Sequence, residues 1–316
     1  MKAFDVIEPG LHTTIQDRGR YGYQQYGVGP SGAMDEDALV LGNLLVKNRR
    51  DAAALEMIMI GPSLRAEHDF LIAITGANIM PTIDGNTIPM WSTVLIKKGQ
   101  TLRFGKPVAG ARAYLTVAGG FDGDEIMGSK STYIPGQFGG KEGRILEAGD
   151  KLTVRESSHK HHVRNVRLHS TLIPTYESHQ TVRVIEGPQE EMFTEEAKEA
   201  FYRVQYKITP QSNRMGYRLE GKQLSHIEES GIITDAVVKG SVQVPGNGQP
   251  IVLMADRQTT GGYPKIATII SVDLWKIAQL LPGQTISFQK TTVKSAHELL
   301  RERENKWKQI EILHGK

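Results

Sequence analysis

The chain has 316 residues, 39% of them hydrophobic and 23% charged, a formal net charge of +3 and no cysteine. That length buries a large core and predicts two domains or one large one in a soluble globular protein. The small, evenly spread charge argues against a nucleic-acid partner. The missing cysteines exclude a disulfide, a thiolate nucleophile and a cysteine-held metal.

In chain order, Ala3 to Glu8 alternates as a strand until Pro9-Gly10 breaks it. No apolar h-region marks this start and no apolar run approaches about 18 residues, so a cytoplasmic protein with no membrane partner is expected. A polar, glycine-rich loop follows, Gly10 to Asp35. Asp35 then reads as the N-cap of a helix with Ala38, Leu41, Leu44 and Leu45 on one face, closed by Asn48 as a left-handed C′ residue. Strand-like runs come next at Leu55–Ile60, Phe70–Thr75, Val94–Ile96, Thr101–Phe104, Ala113–Val117 and Lys151–Val154. Their connections are too short for βαβ crossovers, which predicts a mainly β fold with peripheral helices.

Arg155 to Arg167 is charged and histidine-rich and reads as a connection between domains at 1–155 and 165–316. In the second half Thr194 is expected to cap a helix with Glu195 and Glu196 in its first turn and Ala197, Ala200, Phe201 and Val204 on one face. Asp273 is expected to cap another that Pro282-Gly283 stops. A final helix is expected to open with the capping box Ser295-Ala-His-Glu298 and carry a stripe of Leu299, Leu300, Trp307, Ile310 and Leu313.

A turn glycine feeding an alternating strand recurs at Gly99–Phe104, Gly149–Val154 and Gly283–Phe288, which suits a barrel or sandwich with one buried face. Glu56 before Gly61-Pro62 and Glu186 before Gly187-Pro188 form a longer echo, and the halves read as related β-domains.

Gly27-Val-Gly-Pro-Ser-Gly32 matches a dinucleotide fingerprint, but Tyr21–Tyr26 is no buried strand and Pro30 lacks the N–H that a phosphate needs. Gly139-Gly-Lys141 is no Walker A tail, because Pro135 and Glu142 stand where Gly and Ser/Thr belong; Lys141 and Arg144 stay as weak anion-binding candidates. His159, His161 and His162, with His169 or His179, read as solvated residues rather than metal ligands. Neither a Gly-x-Ser-x-Gly elbow nor a biotinyl-lysine motif is present. An enzyme built this way works with partners.

Two loops stand out. Gly10–Asp35 holds Gln16, Asp17, Arg18, Arg20 and Asp35, and Asp256–Lys265 follows the apolar run Ile251–Met254. Each is polar, glycine-rich and carries an adjacent Asp-Arg pair, as loops that build sites do. The expectation is one site assembled from both.

These loops, with Leu55-Glu56, Gly61-Pro62, Gly128-Ser-Lys-Ser-Thr-Tyr133, Gly139-Gly140 and Gly246–Ile251, occur in an order that resembles the biotin-dependent carboxyltransferase, or allophanate hydrolase subunit 2, family from about Val6 to Phe288. Within it the chain resembles the C-type members of bacterial 5-oxoprolinases. The resemblance implies two cyclophilin-like β-barrel domains. It implies a heteromeric complex with A- and B-type subunits that opens 5-oxo-L-proline to L-glutamate, with ATP used at the level of the complex. The B-type partner resembles a histidine-kinase inhibitor, so the alternative is a regulatory module that antagonises such an inhibitor. A second alternative is the carboxyltransferase component of a urea-carboxylase-like system, where biotin enters; a prolyl isomerase rests on fold analogy alone. No metal is expected.

5-Oxoproline presents a carboxylate, a ring N–H and a carbonyl oxygen. A guanidinium fork suits the carboxylate, which makes Arg18 or Arg257 candidates. Asp17, Asp35 or Asp256 is a candidate acceptor or base. Lys265, Thr259, Thr260 and Tyr263 are candidate donors to the carbonyl oxygen, and Arg20 and Gln258 complete the substrate-binding set.

Overall fold

The computed structural model describes residues 1–155, 166–228 and 230–315; the histidines at 159, 161 and 162 lie outside them. The described chain divides into two compact units. Unit one comprises Met1–Arg20, Ser31–Tyr176 and Lys306–Lys316, and unit two comprises Tyr21–Pro30 and Glu177–Asn305. One of the boundaries between the units falls after Tyr176. Among the described residues, no helix is long and apolar enough to cross a membrane.

Unit one pairs its strands into two sheets. The six-stranded sheet runs Lys151–Thr153, Lys2–Glu8, Ser63–Ala66, Thr101–Arg103, Thr82–Ile83 and Asn86–Thr87. The five-stranded sheet runs Thr13–Gln16, Ala54–Ile58, Ala109–Val117, Phe70–Asn78 and Thr93–Ile96. Phe4, Phe70 and Phe121 cluster in their core, with ring centroids 5.7 and 6.1 Å apart around Phe4. Gly99 and Gly149 sit at φ 84° and 90°, as turn glycines ahead of strands require.

Helix α1, Glu36–Leu45, is capped by Asp35, whose Oδ1 accepts from the Ala38 amide at 2.9 Å. All positions from Ala38 to Leu45 are buried, so it is a core helix rather than one with a single apolar face. Its left-handed terminator is Lys47 (φ 57°), one residue earlier than expected. Asn48 instead donates to the Val117 carbonyl (2.8 Å) and accepts from the Gly119 amide (2.8 Å), tying the helix end to the strand beside it.

Unit two holds a closed barrel in the order His179–Glu186, Lys265–Ile269, Ser241–Gln243, Ile251–Leu253, Gly216–Glu220, Tyr206–Ile208 and Thr285–Lys290. The parallel pairing of His179–Glu186 with Thr285–Lys290 closes it, and Gly283 (φ 92°) feeds the last strand. A two-stranded ribbon, Asp235–Ala236 with Thr260–Gly261, lies outside the barrel sheet. The mainly β architecture is the expected one, with closure in unit two and two sheets in unit one. Glu56 and Glu186 are not equivalent: Glu56 is buried, whereas the Glu186 side chain is 47% exposed and pairs with Lys290.

Helix α2, Glu195–Arg203, is capped by Thr194 and packs Phe201 on Phe288 with centroids 4.3 Å apart. Helix α3, Leu274–Ala278, follows Asp273, but that carboxylate caps nothing; Arg183 claims it through Nε and NH2 at 2.8 and 2.7 Å. Helix α4, Val293–Gly315, starts two residues before the expected box, and Thr292 accepts from the Ser295 amide at 3.1 Å. Trp307 and Ile310 join the core around α1, while Leu313 is 73% exposed and drops out of the stripe.

Candidate functional site

In unit one, the buried strand Thr13–Gln16 delivers Asp17 into a loop that has no ladder of its own. Four donors fill the Asp17 carboxylate. Oδ1 accepts from the Ser129 and Ser131 hydroxyls, both at 2.6 Å, and from the Gly19 amide at 2.8 Å. Oδ2 accepts from the Lys130 amide at 2.6 Å. A carboxylate saturated this way is a clamp, because its lone pairs are already spent on the loop it holds. Arg20 is 1% exposed; it donates to the Ser131 and Ile126 carbonyls and lies 4.8 Å from the Phe138 ring centroid. It is a wedge inside the 126–139 loop. Ser31, at φ 55°, donates to the Thr132 carbonyl from its hydroxyl at 2.9 Å. Within unit one, the 126–140 loop is therefore the counterpart of residues 16–20 and 31–35.

The other two candidates of unit one are also engaged. Arg18 donates to Glu36 in the first turn of α1 at 2.6 Å and lies 5.8 Å from the Trp307 ring. Asp35 caps α1, and its amide donates to the Tyr114 hydroxyl at 2.8 Å. Tyr114 in turn donates to Glu56 at 2.7 Å, which also accepts from the Met34 amide. Burial first, and then Glu56 and Asp35, push the Tyr114 phenol well above its usual range, so it serves as a neutral hydrogen-bonding group. Asp35 thus holds the start of α1 against Tyr114.

A cavity of about 600 Å³ opens in unit one between the chain after α1, the turn Gly119–Phe121 and the loop carrying Lys130. Lys130 is buried and its ammonium pairs with Asp122, whose carboxyl that hydrogen bond holds below the usual carboxylate range.

In unit two, Asp256 is 2% exposed and accepts a fork from Arg214, Nε to Oδ2 at 2.8 Å and NH2 to Oδ1 at 3.0 Å. Both oxygens face the Arg214 guanidinium in a charge-assisted fork. Its neighbour differs. Arg257 is 5% exposed, donates from NH1 to the Met254 carbonyl at 3.3 Å, and has a buried Nε with no partner among the described residues. No described carboxylate pairs with it. Burial pushes its guanidinium below the ordinary arginine value, and Tyr21 opposes that only in part.

Lys265 is buried at the start of its barrel strand and donates to Asp235 at 2.7 Å and to the Ala236 carbonyl at 3.2 Å. That bond holds the Asp235 carboxyl below its usual range. Gln258 donates to Gln243 at 3.5 Å, and Gln243 to the Tyr263 carbonyl at 3.3 Å. Thr260 pairs with Ala236 across the ribbon, Thr259 accepts through its carbonyl from the Val237 amide, and Tyr263 is 46% exposed. Arg257 and Tyr263 thus lie in the connection that Lys265 ends, and the ribbon strand Thr260–Gly261 within it pairs with the strand carrying Asp235.

The remaining candidates are spoken for. Arg144 forms a fork with Asp150 at 2.8 Å on each arm, and Lys141 pairs with Glu142. With its cations taken by neighbours, that loop does not fit a nucleotide phosphate. His169 bonds Thr171, and His179 bonds Thr285 and Ser287. Among the described residues no three His, Asp or Glu side chains are grouped to hold a metal ion. Sequence reasoning assigned no role to Lys130, Asp235, Arg214 or the Glu56–Tyr114 pair; of these, Lys130 and Glu56 stood in motifs already singled out.

Three comparisons bear on this geometry. The family model for the carboxyltransferase domain, subdomains A and B, matches residues 26–290. The C-type member of the 5-oxoprolinase of Escherichia coli is 37% identical over 305 residues, 96% of each chain, and that of Haemophilus influenzae is 35% identical over 300 residues, 95% of each. The crystal structure of Kluyveromyces lactis urea carboxylase superimposes with a TM-score of 0.92 at 31% identity, covering 98% of this chain and 29% of that one.

Proposed function

Because the chain belongs to the carboxyltransferase domain family, subdomains A and B, we propose that it is the C-type member of a 5-oxoprolinase. In that complex it works with A- and B-type subunits to open 5-oxo-L-proline to L-glutamate at the expense of ATP. Similarity over nearly the whole length of two proteins of that name supports the assignment. The single observation that carries the site is Arg257. A guanidinium only 5% exposed, with no carboxylate paired to it among the described residues, leaves an uncompensated charge, costly unless an anion completes it. The substrate carboxylate supplies that anion.

Within the same loop, Lys265 is held at one N–H by Asp235 and at another by a carbonyl, leaving its third for the lactam oxygen as charge develops there. Tyr263, half exposed, closes over the ring. Asp256 and Arg214 fix the backbone that presents Arg257. This chain has no phosphate cradle of its own among the described residues, so ATP is handled by a partner protein, in the cytoplasm where ATP is supplied.

The test is Arg257→Met in the complex reconstituted with its A- and B-type partners. Loss of one charge-assisted bond of about 1.5–3 kcal/mol raises KM for 5-oxoproline by about tenfold or more. Unchanged KM contradicts the assignment. The superposition on urea carboxylase favours a second reading, carboxyl transfer from a carboxybiotin carried by another protein. It requires urea- or amide-dependent discharge of a carboxybiotinyl carrier when this chain is added.

A further inference from the structure

We propose that the cavity of unit one is a second small-molecule site, one that binds a carboxylate through the ammonium of Lys130, with Asp17 as the residue that positions it. Lys130 lines this cavity of about 600 Å³, a size within the range of small-ligand sites. Its side chain is only 9% exposed, yet among the described residues its ammonium has one partner, Asp122, which is itself 45% exposed. An ammonium carries three N–H groups, so two remain for a ligand.

The presentation is rigid. Asp17 accepts from the Lys130 amide and from the hydroxyls of Ser129 and Ser131 on either side, all at 2.6 Å. The loop turns at Met127 and Gly128, with φ 54° and 74°, and a Cβ at Gly128 would meet nothing within 4 Å. Arg155 stands over the loop, tied to Asp122 at 3.7 Å and Glu125 at 3.1 Å.

Charge selects the ligand class. The lining carries four cations, Lys47, Arg49, Lys130 and Arg155, against three carboxylates, Asp17, Asp51 and Glu125; Asp122, paired with Lys130 and Arg155, is the fourth, so a ligand that displaces it meets one positive charge in excess. A phosphoryl group brings about two negative charges into a wall that already holds three. A carboxylate brings one and matches the excess. It competes with Asp122 for Lys130, so Asp122 acts as an internal stand-in that the ligand displaces.

Calorimetric titration of the full chain tests this with 5-oxo-L-proline and L-glutamate as the carboxylates and inorganic phosphate as the control. Their choice rests on the function proposed above; the site does not. The expected result is binding of a carboxylate that Lys130→Met weakens by about tenfold or more, the worth of one charge-assisted bond, and that Asp122→Asn tightens by removing the competitor. The tighter of the two carboxylates tells whether the site serves substrate or product. Binding unchanged in Lys130→Met, weakened in Asp122→Asn, absent for both carboxylates, or stronger for phosphate overturns the proposal. Arg257→Met separates it from the unit-two reading. Binding lost there but kept in Lys130→Met sinks this site alone, and the reverse leaves this site standing. Should Lys130→Met fail to fold, Asp122→Asn decides, because its side chain is half exposed.

Discussion

Asp256 and Arg257 are neighbours in sequence with opposite circumstances. Asp256 lies inside a two-bond fork from Arg214, and Arg257 has one long bond to a carbonyl. Asp256→Ala leaves Arg214 buried without that carboxylate, which costs about 3–5 kcal/mol; urea unfolding should show that loss, while kcat per folded molecule holds. An equal fall in kcat without loss of stability would restore Asp256 as a base. Residue types were legible in the sequence here, but partners were not. Asp17 was visible as a polar loop residue, yet its ligands Ser129 and Ser131 are 112 and 114 positions away, beyond any local pattern. Asp35 was legible as an N-cap because capping is decided three residues away. Lys130 stood inside a recognised motif without a role, since its burial depends on the fold.

Among the elements, α1 shows tertiary packing overriding propensity. Gly42 lies mid-helix, where Ala is better by about 1 kcal/mol. A Cβ there would sit 2.9 Å from both Thr116 Cγ2 and Thr75 Oγ1. Both threonines are buried and hydrogen-bonded to helix carbonyls, Thr75 to Ala38 at 2.7 Å and Thr116 to Gly42 at 2.9 Å, so neither yields easily. Overpacking of about 1–3 kcal/mol outweighs the gain, and Gly42→Ala should lower the urea midpoint; a rise would show that the threonines relax. Helix α4 makes the complementary point. Trp307 and Ile310 of its expected stripe are buried, but Leu313 is exposed because the helix outruns the core it covers. Its start was misplaced since Thr292, not Ser295, offers the capping oxygen. Thr292→Ala should cost about 1 kcal/mol, with Ser295→Ala costing less; the reverse order in thermal melts would return the cap to Ser295.

For the molecule, the mainly β character followed from strand patterns and turn glycines, whereas barrel closure did not, because it depends on the parallel pairing of His179–Glu186 with Thr285–Lys290. Acid stability belongs to this scale. The hydrogen bond from Lys2 lowers the Asp5 carboxyl from 3.8 to about 2. Burial opposes but Arg183 outweighs it in lowering Asp273, and Lys130 and Arg144 lower Asp122 and Asp150. Carboxyls depressed in the folded state contribute stability above their unfolded value and lose it as pH falls through the folded one. Urea midpoints should therefore be flat above pH about 5 and drop between about 4 and 2, with the drop reduced in Asp273→Asn; a loss centred near pH 6 would contradict this assignment. The most direct test of the central claim is 5-oxo-L-proline-dependent release of L-glutamate, with ATP hydrolysis, by the A- and B-type subunits with and without this chain. The account predicts turnover only when the chain is present, and equal turnover in its absence would contradict it.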